Sequence, residues 1–181
     1  EIERIKGLST RITDLKRQLN YQITNEFQEA FARPEPDTDI CDIKQLAEAC
    51  LVLDVLGEDS RQKIITWFVT LQLRDYKSEF HPSKGMAWID NVDKRFVWLK
   101  KTLASYREHC NAIFPKEWYL AEMISTRFCE ITREELQRLL QDRRDQLEVK
   151  ILLFASKKST DFEGWLAARF PSRQYEEEKE E

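Results

Sequence analysis

The side chains best suited to chemistry are few in this chain. It has two histidines, His81 and His109, and four cysteines, at positions 41, 50, 110 and 129. Metal sites usually contain close pairs of such ligands, separated by about two to four residues, and no such pair occurs here. Each cysteine falls on or beside an apolar position of a helical pattern. We therefore expect reduced thiols that pack in the core, with no metal and no cofactor.

Sequence patterns of enzyme active sites are also missing. The four glycines are scattered, so they form no phosphate-binding loop, and no serine lies in a nucleophile elbow. The carboxylates fall on the polar faces of predicted helices. A polar residue, Arg143, interrupts the apolar stripe that contains Leu140 and Leu147, and it either extends to solvent or pairs with a buried carboxylate. The sequence predicts that the chain is not an enzyme.

The composition indicates which architecture must position these residues. The chain has 181 residues, of which 41% are hydrophobic, and only 4 glycines and 5 prolines. So few helix breakers favour long helices over a turn-rich β fold. A formal net charge of -4 argues against nucleic-acid binding. Because the first residue is glutamate, we expect a fragment of a longer protein. The predicted fold is all-α, an elongated helical bundle.

The longest apolar pattern runs from Met86 to Ile113. Its apolar residues recur at steps of three, four and seven, which predicts one helix at the centre of the bundle. We expect Trp88, Phe96, Leu99 and Leu103 to be buried in it.

Two capping-box patterns predict where later helices begin. The first starts at Thr132, and its helix is expected to continue through Phe154. The second starts at Thr160 and predicts a last short helix. The apolar face of that helix, with Phe162, is expected to fold back on Ile151 and Phe154.

A narrow apolar seam marks the first helix. It consists of Ile5, Leu8, Ile12, Leu15 and Leu19, at alternating steps of three and four. This spacing is typical of the core positions of a coiled coil. Beyond Leu19 the step becomes four, which is typical of a helix that enters a globular bundle. The alternative is an ordinary amphipathic helix. Under the first interpretation, the five seam residues are the candidate partner-binding site.

Breaks in the pattern define four segments. Residues 1–31 form the helix at the exit of an assembly coiled coil, and residues 32–39 form a linker with two prolines. Residues 40–170 form the helical bundle, within which Gly57 is placed to end a helix. Residues 171–181 form a disordered acidic tail.

Four blocks in the second half resemble a known family. They are AWIDNVDKRFVWLKKTL (87–103), FPKEWYLAE (114–122), EVKILLFA (148–155) and TDFEGWLAARF (160–170). In this order they are similar to the vacuolar protein sorting-associated protein 53 family. Its members are subunits of the Golgi-associated retrograde protein (GARP) and endosome-associated recycling protein (EARP) complexes. The resemblance covers most of residues 51–170.

The resemblance implies a non-catalytic scaffold in a multisubunit vesicle tether of the helical-rod (CATCHR) class. Such tethers act in endosome-to-Golgi retrograde transport, at the cytosolic face of the trans-Golgi network and of endosomes. The implied partners are the other subunits of the complex, and the implied membrane association is peripheral, through the complex. The seam from Ile5 to Leu19 would be the end of the assembly region. An alternative is a helical module that binds small GTPases or SNAREs, which an exposed apolar patch would favour.

Overall fold

Helices are the regular elements throughout the described part of the chain. The computed structural model describes residues 2–32, 40–144 and 147–171. Its α-helices are α1 (Ile2–Ala32), α2 (Ile40–Leu56), α3 (Glu58–Gln72), α4 (Arg74–Glu79), α5 (Val92–His109), α6 (Leu120–Asp142) and α7 (Val149–Arg169). Short 3-10 turns occupy Gly85–Ala87, Ile89–Asn91 and Lys116–Trp118. The prediction of an all-α helical bundle is confirmed.

The chain divides into two compact units, with boundaries inside α3 and α5. Unit 1 comprises Glu1–Thr70 and Ser105–Leu120, and unit 2 comprises Leu71–Ala104 and Ala121–Glu181. The four segments expected from the sequence were assigned by their expected roles, which these two units do not test. The division into four segments therefore stays a prediction. Residues 33–39 of the expected linker and residues 172–181 of the expected tail lie outside the described residues.

An aromatic cluster forms the centre of unit 1. Phe27 and Phe31 of α1 meet Trp67 and Phe68 of α3, and Phe114 packs among them. The ring centroids of Phe68 and Phe114 are 4.6 Å apart, and those of Phe27 and Phe114 are 5.7 Å apart. Rings at these separations bury large apolar areas and add favourable edge and face contacts. The C-terminal part of α1 is therefore anchored in the core of unit 1.

Gly57 ends α2, as predicted. Its φ of 115° lies where glycine is strongly preferred, and its amide donates to the carbonyl of Leu53 over 3.1 Å. Helix α3 starts at the next residue, with Glu58 and Asp59 in its first turn, where the helix dipole favours acidic side chains. Indole Nε1 of Trp118 also donates to Asp54 in α2 over 3.0 Å.

Three phenylalanines connect the helices of unit 2. The ring of Phe162 in α7 stacks on that of Phe96 in α5, with centroids 4.1 Å apart and an angle of 7° between the planes. Phe128 of α6 contacts Phe162 edge-on, at 6.0 Å. Leu99 and Leu103 of α5 are buried, as predicted, together with Phe96.

The prediction that Met86 to Ile113 is one helix was wrong. Helix α5 begins at Val92 and ends at His109, and two 3-10 turns precede it. Trp88 separates these turns with an extended backbone (ψ 153°), and its side chain is half-buried rather than buried. The apolar pattern continued past both helix ends because the flanking loops also bury apolar residues, such as Ile89 and Ile113.

Both capping-box predictions were also wrong. Helix α6 runs through Thr132, whose hydroxyl lies 2.6 Å from the hydroxyl of Tyr76. Helix α7 runs through Thr160, whose hydroxyl donates to the carbonyl of Ser156, four residues earlier in the same helix. Neither site has a helix breaker before it, so both threonines bond within a continuous helix. The chain instead leaves α6 at Asp142 and enters α7 at Val149, so Phe162 cannot fold back on Ile151 and Phe154.

Candidate partner-binding surface

The predicted seam of α1 is exposed in the structure. Leu8 is 57% exposed, Ile12 54%, Leu15 58% and Leu19 38%. Ile5 belongs to α1, but its side chain lies outside the described part of the structure. One turn further along the same stripe, Ile23 is 6% exposed and Phe27 is fully buried. The stripe thus continues in one helix, and unit 1 covers only its C-terminal part.

The polar groups around this seam are mostly cationic. Between residues 6 and 19 the sequence carries Lys6, Arg11, Lys16 and Arg17, but only one carboxylate, Asp14. Arg17 forms an ion pair with Asp14 on the helix surface. An exposed apolar stripe with charges beside it is the arrangement that pairs with a second amphipathic helix.

A second exposed apolar surface lies on α2. Leu51 is 62% exposed, Val52 37% and Val55 85%. The sequence places apolar residues on most sides of α2. Unit 1 covers the face that contains Leu53 and leaves the face with Leu51 and Val55 open. An apolar helix with an uncovered face is a candidate contact for a protein partner.

Arg95 is a buried charged residue that the sequence reasoning missed. Its side chain is fully buried in unit 2. Nη1 donates to the hydroxyl of Tyr76 and to Oε2 of Glu135, both over 2.7 Å, and Nη2 donates to the carbonyl of Ala87 over 3.0 Å. The guanidinium also lies over the ring of Phe80, with Cζ 4.8 Å from the centroid. These contacts join α4, α5, α6 and the first 3-10 turn.

The Arg95 network is structural in character. Burial raises the pKa of Tyr76, while the charge of Arg95 and the hydrogen bonds from Thr132 and Arg95 oppose that rise. The tyrosine therefore stays protonated and serves as a hydrogen-bonding link. Position 95 follows Val92 by three residues and precedes Leu99 by four, so an arginine on the apolar stripe of α5 was the signal that could have revealed the network.

The candidate chemical residues with described side chains are packed or bonded locally. Burial raises the pKa of the Cys50 thiol to about 12 and that of Cys110 to about 11, so neither is a thiolate at neutral pH. His109 Nδ1 donates to the carbonyl of Ser105, and His81 Nδ1 lies 2.8 Å from the Ser83 hydroxyl. Among the described residues, no group of three or more histidine, cysteine or acidic side chains could hold a metal ion. Cys41 has no described side chain.

Arg143 extends to solvent, the first of its two expected arrangements. It is exposed, and its Cζ lies 5.1 Å from the centroid of the Trp88 ring. No ion pair to Arg143 occurs within residues 2–32, 40–144 and 147–171. The aliphatic part of the side chain and its flat cation both suit contact with an indole face.

The fold is an all-α helical bundle with exposed apolar faces on α1 and α2. Comparison with known proteins identifies the particular family. The family model described as "Vps53, N-terminal" matches residues 1–181, and the chain belongs to that family. The resemblance of the four sequence blocks is thereby confirmed.

Relatives across eukaryotes carry the same name. The chain is 29% identical to the vacuolar protein sorting-associated protein 53 homolog of Caenorhabditis elegans, over 96% of this chain and 21% of the relative. It is 25% identical to protein 53 A of Arabidopsis thaliana, over 100% of this chain and 22% of the relative. For the Saccharomyces cerevisiae protein, the values are 28% identity, 69% of this chain and 15% of the relative. The chain thus spans about a fifth of the length of the first two relatives, and no solved structure matches it.

Proposed function

We propose that this chain is a non-catalytic scaffold segment of a vesicle-tethering complex that acts in endosome-to-Golgi retrograde transport. Membership of the Vps53 N-terminal family and the relatives' names, which refer to vacuolar protein sorting, support the proposal. The tethering complexes to which we assign the chain are GARP and EARP. No helix in residues 2–32, 40–144 and 147–171 is long and apolar enough to cross a membrane. We also propose that the chain associates peripherally, through the complex, with the cytosolic face of the trans-Golgi network and of endosomes.

The exposed seam of α1 is the observation that carries the proposal. Leu8, Ile12 and Leu15 are each more than half exposed, whereas Ile23 and Phe27 on the same stripe are buried. Four large aliphatic side chains at coiled-coil spacing, exposed over three turns, are unfavourable in water unless a partner covers them. We infer that helices of other subunits pair with the seam from Ile5 to Leu19. The cations beside the seam favour partner helices with acidic flanking residues.

Co-purification with the other subunits tests this role. The variant Leu8→Gln/Ile12→Gln removes two seam residues, and the control Thr10→Gln/Thr13→Gln changes two polar, exposed positions of the same helix. We expect the amount of recovered partner subunits to fall at least tenfold with the first variant and less than twofold with the control. The free energy of unfolding of both variants should lie within about 0.5 kcal/mol of the parent value, because the changed side chains are exposed. Normal recovery with the seam variant would contradict the assigned role.

The exposed face of α2 supports a second candidate function. Leu51 and Val55 form an apolar surface separate in sequence from the seam, and such a surface suits a small GTPase or a SNARE. The variant Leu51→Gln/Val55→Gln should then reduce capture of the GTPase or SNARE while co-purification with other subunits stays normal. Loss of subunit assembly instead would assign this face to the scaffold.

A further inference from the structure

A long apolar groove runs between α6 and α7 in unit 2. Its volume is about 1020 Å³. The rings of Phe128 and Phe162 lie at its base, and Leu136 and Leu140 of α6 face it opposite Leu152 of α7. Leu152 is 37% exposed, and Leu136 and Leu140 are half-buried, so unit 2 leaves apolar surface open along the groove. This groove contains no residue of the α1 seam, and its role is independent of the proposed function.

The rim of the groove is cationic. Arg133 of α6 and Arg144, in the turn after α6, both line the groove and lie about three helical turns apart in sequence. Both are exposed, and neither forms an ion pair with any residue of the described ranges. Among the described residues that line the groove, the carboxylate is that of Glu163. Two arginines without a carboxylate partner in the described part of the chain favour an occupant that brings its own acidic groups.

The length of the groove fits a short helix. The lining residues of α6 extend from Phe128 to Gln141, which corresponds to about 20 Å at the rise of an α-helix. A helix of about four turns would lie along this length. Its apolar residues, at steps of three and four, would point between Leu136 and Leu140 of α6 on one side and Leu152 of α7 on the other.

We propose that the groove binds an amphipathic helix of a partner protein, about four turns long, with acidic residues on both sides of its apolar stripe. The exposed stripe of α1 in a second copy of this chain is a poor occupant, because Lys6, Arg11 and Lys16 would approach the two rim arginines. A lipid surface is also a poor occupant. Bilayer binding requires apolar groups that project outward, and these leucines line a recess.

Peptide binding measured by fluorescence anisotropy tests the proposal. The probes are three labelled synthetic peptides of 16 residues: a leucine stripe flanked by glutamates, the same stripe flanked by lysines, and a scrambled form of the first. We expect the glutamate peptide to bind the whole chain at least tenfold more tightly than either of the others. The variant Leu140→Gln should weaken its binding at least fivefold.

Charge reversal at the rim provides the decisive comparison. In Arg133→Glu/Arg144→Glu, the preference should move from the glutamate peptide to the lysine peptide. The matched control is Arg138→Glu, on the same helix but outside the groove, and it should change binding less than twofold. Equal binding of all peptides, an equal loss in the control, or no binding of the glutamate peptide would overturn the proposal. Binding to phosphatidylserine vesicles that the rim reversal abolishes would also overturn it, in favour of a membrane surface.

Discussion

The substitution Arg95→Met tests whether the buried guanidinium holds unit 2 together. Methionine keeps a flexible apolar chain in the same space but removes every donor. The carboxylate of Glu135, whose side chain is 16% exposed, then loses its cation, and the carbonyl of Ala87 loses its donor. Tyr76 keeps its contact with Thr132. The stabilising contact of the guanidinium with Phe80 is also lost.

The expected loss follows from these changes. Removing one partner of a buried ion pair typically costs about 3 to 5 kcal/mol. Glu135 retains some access to water, so we expect a loss near 3 kcal/mol, to which the carbonyl of Ala87 contributes about 1 kcal/mol. The double variant Arg95→Met/Glu135→Gln removes the unpaired charge as well. It should therefore be more stable than Arg95→Met alone, by about 1 to 2 kcal/mol.

Urea unfolding followed by far-UV circular dichroism measures these differences, and hydrogen exchange of the α5 amides locates them in unit 2. The matched control is Arg107→Met, because Arg107 is an exposed arginine on the same helix. We expect the control to change the free energy of unfolding by less than about 0.5 kcal/mol. A loss below about 1 kcal/mol in Arg95→Met, or a double variant less stable than the single one, would refute the reasoning.

Three further predictions concern single positions or pH in the two units. Phe162→Ala should lower the free energy of unfolding by about 3 to 5 kcal/mol, because its buried ring stacks on Phe96; a loss below about 1 kcal/mol in urea unfolding would contradict the contact. Gly57→Ala should lower it by about 1 to 3 kcal/mol, since alanine is strained at a φ of 115°; thermal denaturation measures this, and an unchanged midpoint would show that the turn relaxes. Alkali should also destabilise unit 1. Burial raises the pKa of Cys50 from 9.0 to about 12 and that of Tyr106 from 10.0 to about 12. The unfolded chain therefore loses these protons first, and the stability that is complete below pH 9 falls as the pH rises toward 12. Urea midpoints measured at intervals from pH 8 to 11 should decrease, and a flat profile would contradict the burial of these groups.

The local pattern of the sequence was sufficient to predict that the fold is helical and that α1 carries the candidate seam. Apolar residues at steps of three and four predict helices because one face of each helix must be buried. Gly57 marked a helix end because few other residues adopt its backbone conformation. The change of step after Leu19 also coincided with the place where unit 1 begins to cover α1. Each of these properties depends on residues close together in the chain.

Tertiary packing decided what the pattern left open. Thr132 and Thr160 do not cap helices, because each lies inside a continuous helix where its hydroxyl has another partner. Thr132 contacts the hydroxyl of Tyr76, and Thr160 donates to the carbonyl of Ser156. Arg95 is buried because Tyr76, Glu135 and Ala87, which are 8 to 40 residues away in sequence, supply its acceptors. No local pattern contains that information, since an arginine on an apolar stripe can equally extend to solvent, as Arg143 does. The sequence by itself therefore determined that the chain is helical and which apolar stripes its helices carry, but not where each helix begins and ends. Which stripes are covered, and which polar residues are buried among them, depended on contacts between distant segments.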